Sequence, residues 1–268
     1  MTFEQLRDSC LQEGTLYEDP DFPANHSSLY FSRVEFGIEW KRPKEISQPE
    51  EPKFISDGIS RFDLAQSETL GNCWLIAGAA IATSGKDFLS DKVIPLDQDF
   101  RKNYAGIFRF RFWQFGDWEE VIIDDRLPVK PGGRLAYCHN NHDEHEYWGA
   151  LMEKAFAKLN GSYEAMNGGW IQDAMVDFTG GVGDTVDLSD KENIPHDLFE
   201  TVHTNIHMDT IMGAANIVID PRLIETSAEN GIIKGHAYSI TKTAKVGQSW
   251  RKRIQLNPIE EPLGATGI

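Results

Sequence analysis

Leu70-Gly71-Asn72-Cys73-Trp74-Leu75-Ile76-Ala77 is the run whose reading decides the fold. A glycine, a short polar residue and a cysteine lead straight into an apolar stretch of helical type. The thiol is thereby placed at a helix N-terminus, where backbone N–H groups without intrahelical partners and the helix dipole stabilise a thiolate. A thiolate is the attacking species in cysteine catalysis. For an isolated cysteine the competing reading is a small buried hydrophobe, since thiols are among the most buried side chains.

A base decides between those readings. Gly235-His236-Ala237-Tyr238-Ser239-Ile240 reads as a glycine turn feeding a strand, with Ala237, Ser239 and Thr241 alternating against Tyr238 and Ile240. Alone, His236 would be read as a satisfied core residue. Asn257, near the end of a second short apolar stretch, Arg253-Ile254-Gln255-Leu256-Asn257-Pro258, supplies an amide that can hold an imidazole in one tautomer. Upstream of the cysteine, Gln66 is a candidate side-chain donor to an oxyanion. The order cysteine, distant histidine, then asparagine is that of papain-like proteases.

Blocks over most of the chain resemble the calpain family of proteases. Near the start these are Gly14-Thr15-Leu16-Tyr17-Glu18-Asp19-Pro20 and Trp40-Lys41-Arg42-Pro43. They continue through residues 66–77, Tyr104-Ala105-Gly106-Ile107-Phe108, Val121-Ile122-Ile123-Asp124-Asp125-Arg126 and Glu146-Tyr147-Trp148. Asn160-Gly161-Ser162-Tyr163-Glu164-Ala165, Asp177-Phe178-Thr179-Gly180-Gly181 and Lys234-Gly235-His236-Ala237-Tyr238 complete the set. The resemblance implies an α+β, papain-like core of two lobes. Residues 1–50 would be an N-terminal segment, 51–168 a helix-rich first lobe with Gln66 and Cys73, and 169–268 a strand-rich second lobe with His236 and Asn257. It implies a calcium-dependent cysteine endopeptidase acting on protein substrates, with a regulatory subunit or inhibitor protein as further partners of a longer form. Calcium would be held by the Asp63 and Glu146 carboxylates with backbone carbonyls of Ser56 and Gly58, hard oxygen donors that suit this ion. Without the resemblance, both acids read as surface carboxylates. Gly168, Gly169 and Gly235 are expected to line the cleft, where a substrate strand needs close backbone approach.

Departures from the family pattern are specific. Asn72 stands where the family usually carries aspartate, and Gln66 lies one residue further upstream than usual. After Asn257-Pro258 the family continues with Trp-Gly and an acidic segment, whereas here Ile259-Glu260-Glu261-Pro262-Leu263-Gly264 follows and the sequence ends at Ile268. The expectation is a second lobe shortened at its C-terminus, with the family's second calcium site beyond the sequence. The alternative function is therefore a truncated or spliced calpain-like product that binds without cleaving. A transglutaminase-like acyltransferase shares Cys and His but uses aspartate third, which Asn257 argues against.

Composition sets the outer bounds. A chain of 268 residues can bury one large core or two smaller lobes. A formal charge of −16 and a pI near 4.9 argue against nucleic acid or anionic membrane as main partner. Three cysteines offer no disulfide framework and point to a reducing compartment, the cytoplasm. No apolar run approaches the roughly 20 residues of a membrane span, and the first residues lack the apolar core of a signal peptide. Cys138, His139, His142 and His145 share one polar loop and raise zinc as a second metal reading, against a solvated loop.

The coarse elements follow from periodicity. A helix is expected from near Asn72, and a hairpin from residues 107–113 and 121–123 around Gly116-Asp117, with Phe108, Phe110 and Phe112 on the buried face. Trp148, Leu151, Met152, Ala155, Phe156 and Leu159 mark an amphipathic helix over 147–166. The Pro- and Glu-rich residues 48–53 read as a loop, Gly168-Gly169 as the lobe boundary and Ile217-Val218-Ile219 as a strand.

Overall fold

A computed structural model describes residues 1–258 apart from 68, 85–87, 207, 209, 219, 225, 229–230 and 247–250; at 221, 245–246 and 251–258 only the backbone is described. The chain opens with α1 (Phe3–Glu13), capped by a reciprocal pair of Thr2 and Gln5 and closed by Gly14 in the left-handed conformation. Phe3 buries against Ala105 and Ile107 and pins this helix to the following hairpin. Two single turns follow, α2 (His26–Leu29), capped by the Asn25 side chain, and α3 (Pro43–Ile46), with proline at its first position. Between them β1 (Glu39–Lys41) pairs antiparallel with β4 (Leu127–Val129), so the N-terminal segment is sewn into the molecule by main-chain hydrogen bonds.

The centre is α4 (Cys73–Ala82), CWLIAGAAIA, whose residues from Trp74 onward are all buried. A helix apolar on every side must be enclosed on every side, and α4 packs against α6 (Ile171–Thr179) and strand β6 (Ala237–Val246). Gly78 allows the first of these contacts: a Cβ there would lie 2.5 Å from Cβ of Ala174. The hairpin β2 (Ile107–Gln114) and β3 (Asp117–Asp124) has the expected period, with Phe108, Phe110 and Phe112 buried and Arg109 and Arg111 at the margin. Its aromatic face meets α5 (Trp148–Asn160) through Phe112 and Phe156, edge to face at 5.1 Å.

Helix α5 is shorter than its apolar spacing predicts. Gly161, at φ 97°, ends it, and Glu164–Met166 form a separate 3-10 turn. The C-terminal part holds α7 (Leu198–Asn205) and a three-stranded sheet in the order β5 (Gly213–Ala215), β6 and β7 (Arg251–Pro258). The strand expected at Ile217-Val218-Ile219 is corrected here: Ile217 and Val218 follow β5 in irregular backbone and Ile217 is exposed, while Ile219 lies outside the described residues. The chain turns there because Asn216 and His236 close the β5–β6 ladder. No helix among the described residues is long and apolar enough to cross a membrane.

Buried charge ties the N-terminal segment, the hairpin and α5 together. Lys154, fully buried on α5, donates to Asp124 Oδ1 (2.7 Å), to the Asp124 carbonyl (2.9 Å) and to the Arg126 carbonyl (2.6 Å). Asp124 also accepts from the Asp19 backbone N–H at 2.8 Å and from the Arg126 guanidinium at 2.7 Å. Burial alone would raise the Asp124 carboxyl, but the Lys154 and Arg126 charges outweigh it and hold the group down at about 2. One turn on, Lys158 binds Asp19 at 2.7 Å.

Candidate active site

Cys73 is the first residue of α4 and is half-buried. Its predecessor Asn72 is the N-cap, and the Asn72 carbonyl accepts from Leu75 N (3.0 Å) and Ile76 N (3.1 Å). An asparagine at this position ordinarily turns its side chain back onto the first-turn N–H groups. Here it makes no such bond. Its amide instead donates to Oε1 of the buried Glu153 at 2.5 Å, and Glu153 Oε2 accepts from the Cys138 backbone N–H at 3.0 Å. Burial raises the Glu153 carboxyl to about 8, and the two hydrogen bonds offset only part of that.

The loop before α6 borders the nucleophile. Gly71 N–H donates to Asn167 Oδ1 (3.0 Å), and Gly168 N–H donates to the Gly71 carbonyl (2.8 Å). Trp74 anchors the same loop by donating its indole N–H to the Met166 carbonyl at 2.9 Å. Gly169 lies flat on that indole; a Cβ would sit 2.3 Å from Trp74 Cε2. Two of the three glycines expected along the cleft thus lie beside the residues flanking Cys73. Gly169→Ala forces the ring to move and is expected to cost about 1–3 kcal/mol, measured as a lower urea midpoint at unchanged m-value.

His236 immediately precedes β6 and is buried, its ring edge-to-face with Tyr238 at 5.2 Å. Tyr238 is fixed in turn, accepting the Ile233 N–H at 2.7 Å. Gly235, the third cleft glycine, takes φ 70° with Ile224 within 3.2 Å of its would-be Cβ, and it donates to the Asn216 carbonyl at 2.9 Å. Because β6 packs on α4, the histidine's strand and the cysteine's helix share one interface. Asn257 is on β7, where its backbone is paired opposite Ser239; its side chain lies outside the described residues. Gln66 is buried in the segment leading to α4, and its Oε1 has no protein partner among the described residues.

The four residues expected to hold calcium meet in part. Glu146 Oε1 accepts from the Ser56 N–H and its Oε2 from Asn140 Nδ2 at 2.6 Å, while Asp63 Oδ2 accepts from Ser60 N (2.7 Å) and Trp148 Nε1 (3.2 Å). Both carboxylates are buried rather than on the surface, as their residue type alone suggested. Burial and the Asp63 charge raise Glu146 to about 7; burial, with the Asp57 charge, also raises Asp63. Two neighbouring buried acids, both pushed toward their protonated forms, make a donor set suited to a hard cation. Ser56 contributes an N–H to this arrangement, not its carbonyl, and Gly58 stands at φ 115° with open space around it.

Zinc is not supported. Cys138 is buried, its thiol pushed well up by burial and by Glu153, and His139 Nδ1 lies 2.9 Å from the Tyr137 carbonyl. No group of three metal-binding side chains of the His, Cys, Asp or Glu type gathers among the described residues.

A sequence model described as the calpain family cysteine protease matches residues 17–267. The chain belongs to the calpain family. Among curated relatives of this calpain, Calpain-B of Drosophila melanogaster is 49% identical over 241 residues, covering 90% of this chain and 25% of that protein. Calpain clp-1 of Caenorhabditis elegans is 49% identical over 240 residues, 89% of this chain and 30% of its own length. Human Calpain-9 is 46% identical over 268 residues, 98% of this chain and 37% of its own. The chain therefore spans between a quarter and somewhat over a third of the relatives it matches. The mixed helix-and-strand, papain-like core expected from the sequence is the fold of this family member.

Proposed function

We propose that this calpain-family chain is the protease core of an intracellular, calcium-dependent cysteine endopeptidase acting through Cys73, His236 and Asn257. The observation that carries the reading is the placement of Cys73 at the first position of α4, with the strand that His236 leads packed on the same helix. The imidazole takes the Cys73 Sγ proton and the thiolate attacks the peptide carbonyl carbon, giving a tetrahedral oxyanion. The Cys73 backbone N–H and the Gln66 amide donate to that oxygen. Collapse breaks the C–N bond, and the imidazolium returns its proton to the leaving amine. Water then enters under the same general base, splits the thioester and regenerates the thiol. Asn257 orients the imidazole, while Gly168, Gly169 and Gly235 leave room for an extended substrate backbone.

On this reading residues 51–168 and 169–268 act as two lobes whose closure brings base to nucleophile, so whatever fixes their orientation sets activity. Calcium, when bound, would be held within the first lobe by the Asp63 and Glu146 carboxylates, with the carbonyls of Ser56 and Gly58 as the further donors the family resemblance implies, and would order that lobe's side of the cleft. The substrates are proteins, and a regulatory subunit or inhibitor protein is a further partner of a longer form. The test is casein hydrolysis by this chain with and without millimolar calcium. Hydrolysis in calcium alone supports the proposal; a cooperatively folded chain that cleaves nothing in calcium overturns it in favour of a binding module. Glu146→Gln removes one charged donor and is expected to raise the calcium concentration for half-maximal hydrolysis by about tenfold or more, measured by titrating the ion.

A further inference from the structure

Glu153 takes no part in the acyl-transfer steps above, yet it is the group to which the residue before the nucleophile is tethered. It projects from α5 into the core and is 1% exposed. Its two oxygens are used on two different segments, one on the Asn72 side chain and one on the Cys138 backbone. The first bond has a direct consequence for α4. An Asn72 side chain turned onto the helix would bond the N–H of Trp74 or Leu75 and lie across the end of α4 where Cys73 sits. Held by Glu153, it stays clear of the helix end, and Asn72 supports α4 through its backbone carbonyl alone.

The tether also changes with protonation. An ionised carboxylate accepts the Asn72 N–H, whereas a protonated one can donate to Asn72 Oδ1, which has no hydrogen-bond partner among the described residues. The Glu153 charge is felt in turn by the Cys138 thiol and the phenols of Tyr137 and Tyr163. Burial pushes all three upward, leaving Glu153 as the group of this set that changes charge around neutral pH.

We infer that Glu153 is a positioning residue for the nucleophile: through Asn72 it keeps the N-terminus of α4 open, and its charge state sets the reactivity of the Cys73 thiol. The inference rests on Cys73 being the nucleophile. Ionisation of Glu153 places a negative charge behind the first turn of α4, opposing the thiolate. Neutral Glu153 does not.

The experiment is the rate of iodoacetamide alkylation at Cys73 between pH 5 and 10, followed by peptide mass, in the whole chain and in Glu153→Gln and Asn72→Ala. The amide that Glu153→Gln introduces is neutral at every pH, keeps an acceptor for the Cys138 N–H and can still bond the Asn72 amide. The unchanged chain is expected to show a Cys73 reactivity that rises throughout but carries a flattened step near pH 8, where Glu153 ionises. Glu153→Gln should lack that step, with the apparent ionisation of Cys73 lowered by about one unit, a tenfold change in thiolate fraction below it. Asn72→Ala, with no side chain to turn onto the helix, should keep the pH step set by Glu153. Identical profiles for Glu153→Gln and the unchanged chain, with both melting cooperatively, overturn the inference. If no form is alkylated at Cys73 while Cys10 reacts, the nucleophile reading itself fails, a result separable from the first.

Discussion

Replacing Cys73 with alanine is expected to lower peptide hydrolysis by this chain by roughly four to six orders of magnitude, to what binding and oxyanion donors alone supply. His236→Ala produces a loss of the same order, and the double variant is no worse than either single one. Residues that act as a unit are not additive, so equality of the three is the signature of one shared step. The reason lies in the position of the thiol. At the first residue of α4 it faces the positive end of a ten-residue helix, but the buried carboxyl of Glu153 lies behind the same end. The helix dipole alone is worth under about 1 kcal/mol at such a site. On the proposed mechanism, the His236 base is what turns this thiol into an efficient nucleophile. Initial rates on casein in millimolar calcium, with melting curves to show that each variant is folded, measure the effect.

Lys154→Ala is the change expected to cost most stability, about 3–5 kcal/mol. The ammonium is fully buried and all three of its protons are used, on Asp124 Oδ1 and two main-chain carbonyls. Removing it takes away the Nζ partner of the buried Asp124 carboxylate, leaving the Arg126 guanidinium as its counter-charge, and strands two main-chain acceptors. Lys154→Met is expected to be nearly as damaging, whereas Lys154→Met with Asp124→Asn recovers part of the loss because no buried carboxylate remains, while Arg126 keeps Glu18. The pH dependence has a definite sign. Asp124 is held at about 2, below its ordinary 3.8, so its contribution is present above pH 4 and is lost as pH falls through 2. That shift corresponds to about 2 kcal/mol, and Asp124→Asn should remove the acid limb from the stability profile measured in urea.

These two predictions draw on parts of the molecule that differ in how far they could be read from sequence. The thiol at a helix start, the Phe108–Phe110–Phe112 face of the hairpin and the apolar stripe of α5 were legible because period and capping are local signals. The end of α5 was not, since the apolar stripe runs past Gly161 while the backbone obeys the glycine. An apolar triplet misled at Ile217-Val218-Ile219, where the ladder is closed by Asn216 and His236 instead. Pairing of β1 with β4 joins segments far apart in the chain and leaves no local trace.

Buried charges were the least legible. Glu153 and Lys154 sit between apolar positions of α5 and read as the solvent side of the helix. Their partners, Asn72, Asp124 and Cys138, come from three other segments. Asp63 and Glu146 are hidden for the same reason. Their residue type says surface, and only the fold reveals that both are buried and pushed toward protonation. The resemblance to the calpain family named those two acids, but it did not point to Glu153.

The central claim is that Cys73 is a nucleophile activated by His236 across the interface of α4 and β6. Covalent labelling by an epoxide-type cysteine protease inhibitor, in calcium and located by peptide mass, tests it most directly. Labelling confined to Cys73 and slowed at least about a hundredfold by His236→Ala is the predicted result. Labelling spread over Cys10 and Cys73, or unaffected by the loss of His236, would contradict it.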